Sequence, residues 1–358
     1  MLGYFLISFC LILLLMIVGA QLILPFLKAV FIWYVIESLS SYIQTVGKFY
    51  NKRYSRIVGT FLAILLVIVG VYIVIRVGFV NNIELFMQNS DHYNQLFIDR
   101  IENFFMQLNL DPSIIHEYLN SHMNPISAFS KYLFSFATSS IAEMFLILFM
   151  VTFLTLESRV IGTKIKAIKG HYKKTNISNI LTKISASMKV YLIGKTYISL
   201  TVALVSYIIM LFFGLQFASM FAIILFVFNY IPFIGSIIAV VLPLLWSVIQ
   251  FENWHLWLAL GTSLGVVQIL IGNILDPKIL GRTLNLSPLA ILLGLSFFGA
   301  VWGIWGMFFS VPILMLTTYI FAETKSMRWI AILLSEKGEI LTVNKSIEDI
   351  KDIHNNKN

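Results

Sequence analysis

Apolar residues fill this chain in long unbroken blocks, and the polar positions between them are few enough to take one by one. Positions 2–20 and 22–46 predict two apolar helices, the second with Pro25 near its start. A third runs over 57–78 and a fourth over 139–156. Further blocks cover 191–213, 215–250, 254–275 and 288–322. Runs such as "FLAILLVIVGVYIVI" do not alternate, which excludes the two-residue period of barrel strands. Blocks of about 18 residues or more cross a hydrocarbon core about 30 Å thick. The pattern therefore predicts an all-α, polytopic helical membrane protein, with interrupted or re-entrant helices in its C-terminal half.

The polar interludes set the topology. Lys48, Lys52, Arg53 and Arg56 follow the second block with no acid among them, which places that loop inside. Residues 79–138 hold six acids against Arg100 and Lys131, which suits an extracytoplasmic position. Tyr93, Leu96, Phe97, Ile101, Phe104, Phe105 and Leu108 recur there at helical spacing, so an amphipathic helix is expected. Asp111 and Pro112 read as a cap followed by a first-turn proline. Residues 157–189 carry eight basic residues and one acid, and Ile177, Ile180, Leu181, Ile184 and Met188 give them an apolar face. That combination predicts a basic amphipathic segment on the anionic inner leaflet. The expected organisation is thus 1–78 transmembrane, 79–138 an outer helical subdomain, 139–156 transmembrane, 157–190 cytoplasmic, 191–322 a transport core with broken helices, and 323–358 a cytoplasmic tail.

Composition agrees. The 358 residues are 59% hydrophobic and 12% charged, where soluble domains carry about 25% charge. The net charge of +8 comes from bases in short loops beside apolar blocks, not from a basic module that would bind nucleic acid. The one cysteine, Cys10, excludes an intrachain disulfide and is expected to be a small packing residue. "VGA" before Gln21 looks like a cleavage site, but no basic residue precedes it, so the first block reads as an uncleaved anchor.

No enzyme constellation is present, and no cofactor or metal is expected. The histidines of "HEYLNSH" (His116 and His122) are too far apart for an i, i+4 metal pair. There is no phosphate loop or Gly-x-Ser-x-Gly elbow. What stands out are three interruptions. "FNYIPFIGS" places Asn229 and Tyr230 before Pro232 and Gly235, which suits either a re-entrant hairpin or a tight turn between spans. "GNILDPKILGR" places Asn273, Asp276, Pro277, Lys278 and Arg282 between two apolar blocks. Asp276 and Pro277 are either a helix start or part of a pathway that binds a cation, a proton or a polar solute, with Lys278 or Arg282 as charge partner. "FFGAVWGIWGMFFSVP" is glycine-dense, and Gly303 and Gly306 serve either close packing or the pathway. Ser287 and Pro288 repeat the helix-start signature. Glu37, Glu143, Gln268 and Lys28 read as satisfied interfacial or interhelical groups.

These motifs in this order resemble the autoinducer-2 exporter, or PerM-type, family of bacterial permeases. The resemblance is carried by "YLIGK" near 191, "IPFIGS" at 231–236 with Pro243 after it, "NILDPKILGRTLNLSP" at 273–288 and "WGIWGMFFSVP" at 302–312. Asn273, Pro277, Gly281, Leu286, Pro288, Gly303, Gly306 and Pro312 fall where the family pattern expects them. Lys195 stands where a glutamine is common, and Ser236 where a proline is common. The resemblance implies a multi-pass inner-membrane transporter, usually of about eight spans, that exports a small solute or exchanges cations such as H+ or Na+, surrounded by membrane lipid and working as a homo-oligomer. A non-transporting scaffold acting through 79–138, and a passive channel, are the alternative readings.

Overall fold

The computed structural model describes residues 2–46, 52–107, 135, 143–158, 160, 163–164, 177–280 and 285–338. The predicted Asp111 cap, His116, His122, Gly281 and Arg282 lie outside them. All regular structure among the described residues is helical. In chain order the helices are α1 (Leu2–Val18), α2 (Ala20–Val46), α3 (Lys52–Ile73), α4 (Asn81–Gln88), α5 (Ser90–Gln107), α6 (143–158), α7 (Ile177–Phe212), α8 (Ala218–Phe228), α9 (Ile234–Gln250), α10 (Trp254–Leu270), α11 (Asp276–Leu280), α12 (Pro288–Glu323) and α13 (Arg328–Leu334). π-Helical turns at Val74–Val80 and Ile271–Leu275 join α3 to α4 and α10 to α11.

Four stretches among the described residues are long and apolar enough to cross a membrane: Ala20–Thr45, Val58–Gln88, Ile184–Phe212 and Pro288–Glu323. Phe61, Leu65, Leu66, Val69 and Tyr72 of α3 are exposed, a stripe that water would penalise and lipid accommodates. Two predicted elements merge. The amphipathic positions from Ile177 and the span expected at 191–213 form the one 36-residue helix α7. Cys10, expected to pack, is exposed on α1.

The chain folds as two compact units. The first comprises Met1–Tyr42, Leu146–Thr196 and Asp276–Asn358, and the second Ile43–Phe145 and Tyr197–Leu275. In the first unit, Trp302 donates its indole N–H to the Met16 carbonyl at 2.9 Å, fixing α12 to α1. Ser187 and Tyr319 share a hydrogen bond of 2.9 Å between α7 and α12. The expected start of α12 is present: Ser287 accepts from the Ala290 N–H at 3.1 Å, with Pro288 in the first turn.

The core of the second unit gathers α4, α5, α8, α9 and α10, with Met210 of α7. Trp246 lies between Phe86, Tyr93 and Phe217, with ring centroids 5.4, 5.0 and 5.1 Å away. The amphipathic face predicted on α5 therefore packs inward through Tyr93, Leu96 and Phe97. The Tyr93 hydroxyl donates to Gln216 Oε1 at 3.1 Å. Where α3 passes into its π turn, Gly78 sits against Ile223, and a Cβ there would meet the Ile223 side chain at 1.7 Å. The Asn82 amide lies 2.8 and 2.9 Å from the Val77 and Gly78 carbonyls and 2.9 Å from Ser219 Oγ. It thereby satisfies the carbonyls of the widened turn and ties it to α8.

Candidate functional site: two helical hairpins and a half-buried ion pair

The interruption at 229–233 turns the chain back on itself. Helix α8 has 11 residues, about 17 Å, which is too short to cross a membrane. Helix α9 returns beside it. A Cβ at Gly235 would lie 2.1 Å from the Phe228 carbonyl oxygen, so only glycine allows this approach of the two arms. At the tip, Phe233 has φ 63° and ψ −56°, and the Ile234 N–H donates to the Pro232 carbonyl at 2.7 Å. This is a γ-turn on a bulky residue, a strained conformation that the surroundings must impose. Asn229 is 9% exposed and donates through its amide to Ser199 Oγ at 3.0 Å. Tyr230 and Ile231 are buried, while Phe233 is half exposed. The predicted residues Asn229, Tyr230, Pro232 and Gly235 thus share one hairpin tip.

A second hairpin lies within α12. Gly303 has φ 60° and ψ −142°, a conformation reserved for glycine, and it breaks the 36-residue run. The two sides then lie together. Cβ atoms placed on Gly294, Gly299 and Gly306 would meet Leu314 at 2.4 Å, Met307 at 2.8 Å and the Phe298 carbonyl oxygen at 1.9 Å. These pairings run antiparallel about Gly303. Beside the bend, Lys28 of α2 is buried, with its ammonium 3.9 Å from the centre of the Trp305 ring, a cation–π contact. This contact between two helices agrees with the reading of Lys28 as a satisfied interfacial or interhelical group.

The third interruption is no break at Asp276. The path from α10 continues through the π turn at Ile271–Leu275 into α11, so Asp276 is not an N-cap opening a separate helix. A widened turn just before Pro277 accommodates the N–H that proline lacks. Asn273 lies in that turn, and the side chains of Asn273 and Pro277 are outside the described residues. Lys278 is exposed. The partner that Asp276 has is Lys195 of α7, with Nζ 3.2 Å from Oδ2 and 3.5 Å from Oδ1. Lys195 is 6% exposed. Lys195 and Ser199 stand four residues apart on α7, one serving Asp276 in the first unit and the other Asn229 in the second.

Sequence reasoning noted Lys195 only as a departure from a pattern. A usable signal was present: it is the last charged residue before a block without charge that ends at Phe251, and it lies well inside an apolar helix. Ser199, one turn later, carried no such signal, since it is uncharged and lies inside that block. Nothing in the local sequence announced the strained Phe233. Among the described residues, no group of three His, Cys, Asp or Glu could hold a metal ion.

Residues 6–326 match the family described as AI-2E family transporter. The chain is 26% identical over 324 residues to the AI-2 transport protein TqsA of Escherichia coli strain K12, covering 89% of this chain and 90% of that one. It is 31% identical over 243 residues to a Borreliella burgdorferi protein, covering 64% of each. It is 27% identical over 316 residues to YhhT of Escherichia coli strain K12, covering 88% of each.

Proposed function

Since the chain belongs to the AI-2E family transporters, a family of membrane permeases, we propose that it is a secondary transporter whose two helical hairpins host the passage of a small, signal-molecule-like solute. The observation that carries this reading is the pair of tips. Each lies in a block free of charged side chains, and at each the backbone leaves helical geometry, at Phe233 and at Gly303. Open backbone at membrane depth is tolerated only within protein or beside a watery cavity, which is where secondary transporters build their sites. In this reading both hairpins are re-entrant, the chain has about eight spans, and the protein is a homo-oligomer in the bacterial inner membrane. Residues 79–138 lie outside, and 157–190 and 323–358 lie in the cytoplasm.

Asp276 is the charged contact for the solute or for a coupling cation, H+ or Na+. Asn229, Tyr230 and Pro232 line one tip, Gly303 and Gly306 shape the other, and Asn273, Pro277, Lys278 and Arg282 flank Asp276. The name of TqsA points to AI-2 as the first solute to try. The decisive experiment is uptake and efflux in proteoliposomes. Saturable solute movement that falls at least about tenfold in Asp276→Asn supports the reading. Ohmic current without saturation would mean a channel, and movement of no solute in a broad screen would leave the scaffold role.

A further inference from the structure

We propose that Lys195 is a resident counter-ion that keeps metal cations off the Asp276 carboxylate. Its meaning for transport rests on the permease reading, because it decides which of the two coupling ions that carboxylate can take. The geometry stands independently of that reading. Lys195 lies eleven residues into the apolar stretch that starts at Ile184, about 17 Å along the helix. Tyr191, Leu192 and Ile198 around it on α7 are buried. Its ammonium approaches both carboxylate oxygens, at 3.2 and 3.5 Å. A metal ion bound bidentate by Asp276 would have to occupy that same position.

Charge reinforces the steric argument. Among the described residues Asp276 is the only carboxylate within ion-pair distance of Lys195. The pair sums to zero, so an arriving Na+ would meet one negative charge already neutralised and one positive charge within a few ångströms. The Asp276 side chain is 31% exposed, so water screens part of that repulsion, but the buried Lys195 ammonium keeps it stronger than between two open surface charges. Lys278, two residues past Asp276, is exposed and brings a further positive charge to that segment. Removing the Lys195 charge should therefore turn Asp276 into a site that accepts a small cation.

The test needs no transported solute. Thermal unfolding of the purified full chain in detergent is followed in NaCl, LiCl or choline chloride at constant ionic strength. Wild type and Lys195→Arg should melt at the same temperature in all three. Lys195→Gln should gain about 3 °C or more in Na+ or Li+ over choline, and Lys195→Gln/Asp276→Asn should lose that gain. The proposal is overturned by a Na+ response in wild type that Asp276→Asn abolishes, or by a folded Lys195→Gln that ignores Na+ and Li+. Lys195→Ser is read in the same way if the glutamine variant does not fold. If neither folds, the wild-type and Asp276→Asn comparison decides. A cation response in Lys195→Gln with no transport in liposomes would sink the permease reading and leave this inference standing; the reverse result would do the opposite.

Discussion

The two hairpins reach the same geometry from different local chemistry. Both carry a glycine just past the bend that lets the returning arm rest on a carbonyl of the first: Gly235 on Phe228 and Gly306 on Phe298. Both have a buried proline in the second arm, Pro243 and Pro312. Both place a fully buried serine there whose hydroxyl donates to a carbonyl three residues earlier, Ser247 to Leu244 and Ser310 to Met307, each at 2.7 Å. The bends differ. One uses Gly303, which reaches its dihedrals without steric penalty. The other forces Phe233 into a γ-turn, held at its tip by the buried Tyr230 and Ile231 and by the Asn229–Ser199 bond. A glycine bend is specified locally, whereas a strained one must be held from outside.

Substitutions can break the likeness or sharpen the difference. The largest effect is expected where the hairpins are alike. Gly235→Val and Gly306→Val each drive a side chain into a backbone carbonyl and should each lose more than about 4 kcal/mol, seen as collapse of the detergent melting temperature. A variant that melts within a degree or two of wild type would show that its arms do not touch. At the bends the pair should diverge. Gly303→Ala places a Cβ in a glycine-only conformation and should lose about 3 kcal/mol. Phe233→Gly trades relieved strain against a freer unfolded chain and should change stability by less than about 1 kcal/mol. Equal losses at both would contradict the distinction.

A smaller loss, about 1–2 kcal/mol, is expected for Asn229→Ala, which leaves the buried Ser199 hydroxyl without its donor. Urea or thermal titration of the variant against wild type measures it. The smallest effect involves pH. Burial pushes the Tyr93 phenol above its ordinary value of 10.0. The folded state then holds its proton more tightly than the unfolded chain does. Stability from this group is complete below about pH 10 and declines as pH rises toward the folded value. Tyr93→Phe should flatten the alkaline end of a melting-temperature profile, on top of a pH-independent loss from the missing bond to Gln216.

Helical periods, charge-free blocks, the Ser287–Pro288 start and the glycine-rich bend were legible in the sequence because each is a local property of a few consecutive residues. The family was legible for the same reason, from ordered short motifs. What only the tertiary structure decided were the pairings across the chain. Lys195 rather than Lys278 meets Asp276, although they are 81 residues apart. Gly294 lies against Leu314, so a run long enough for one tilted span folds back as two arms. The π turn carries the helix through Asp276–Pro277, where dipeptide rules allowed a start. Hydropathy and turn chemistry say which segments leave water and where a helix can stop. Which buried charge finds which partner depends on distances between segments, and those exist only once the helices pack.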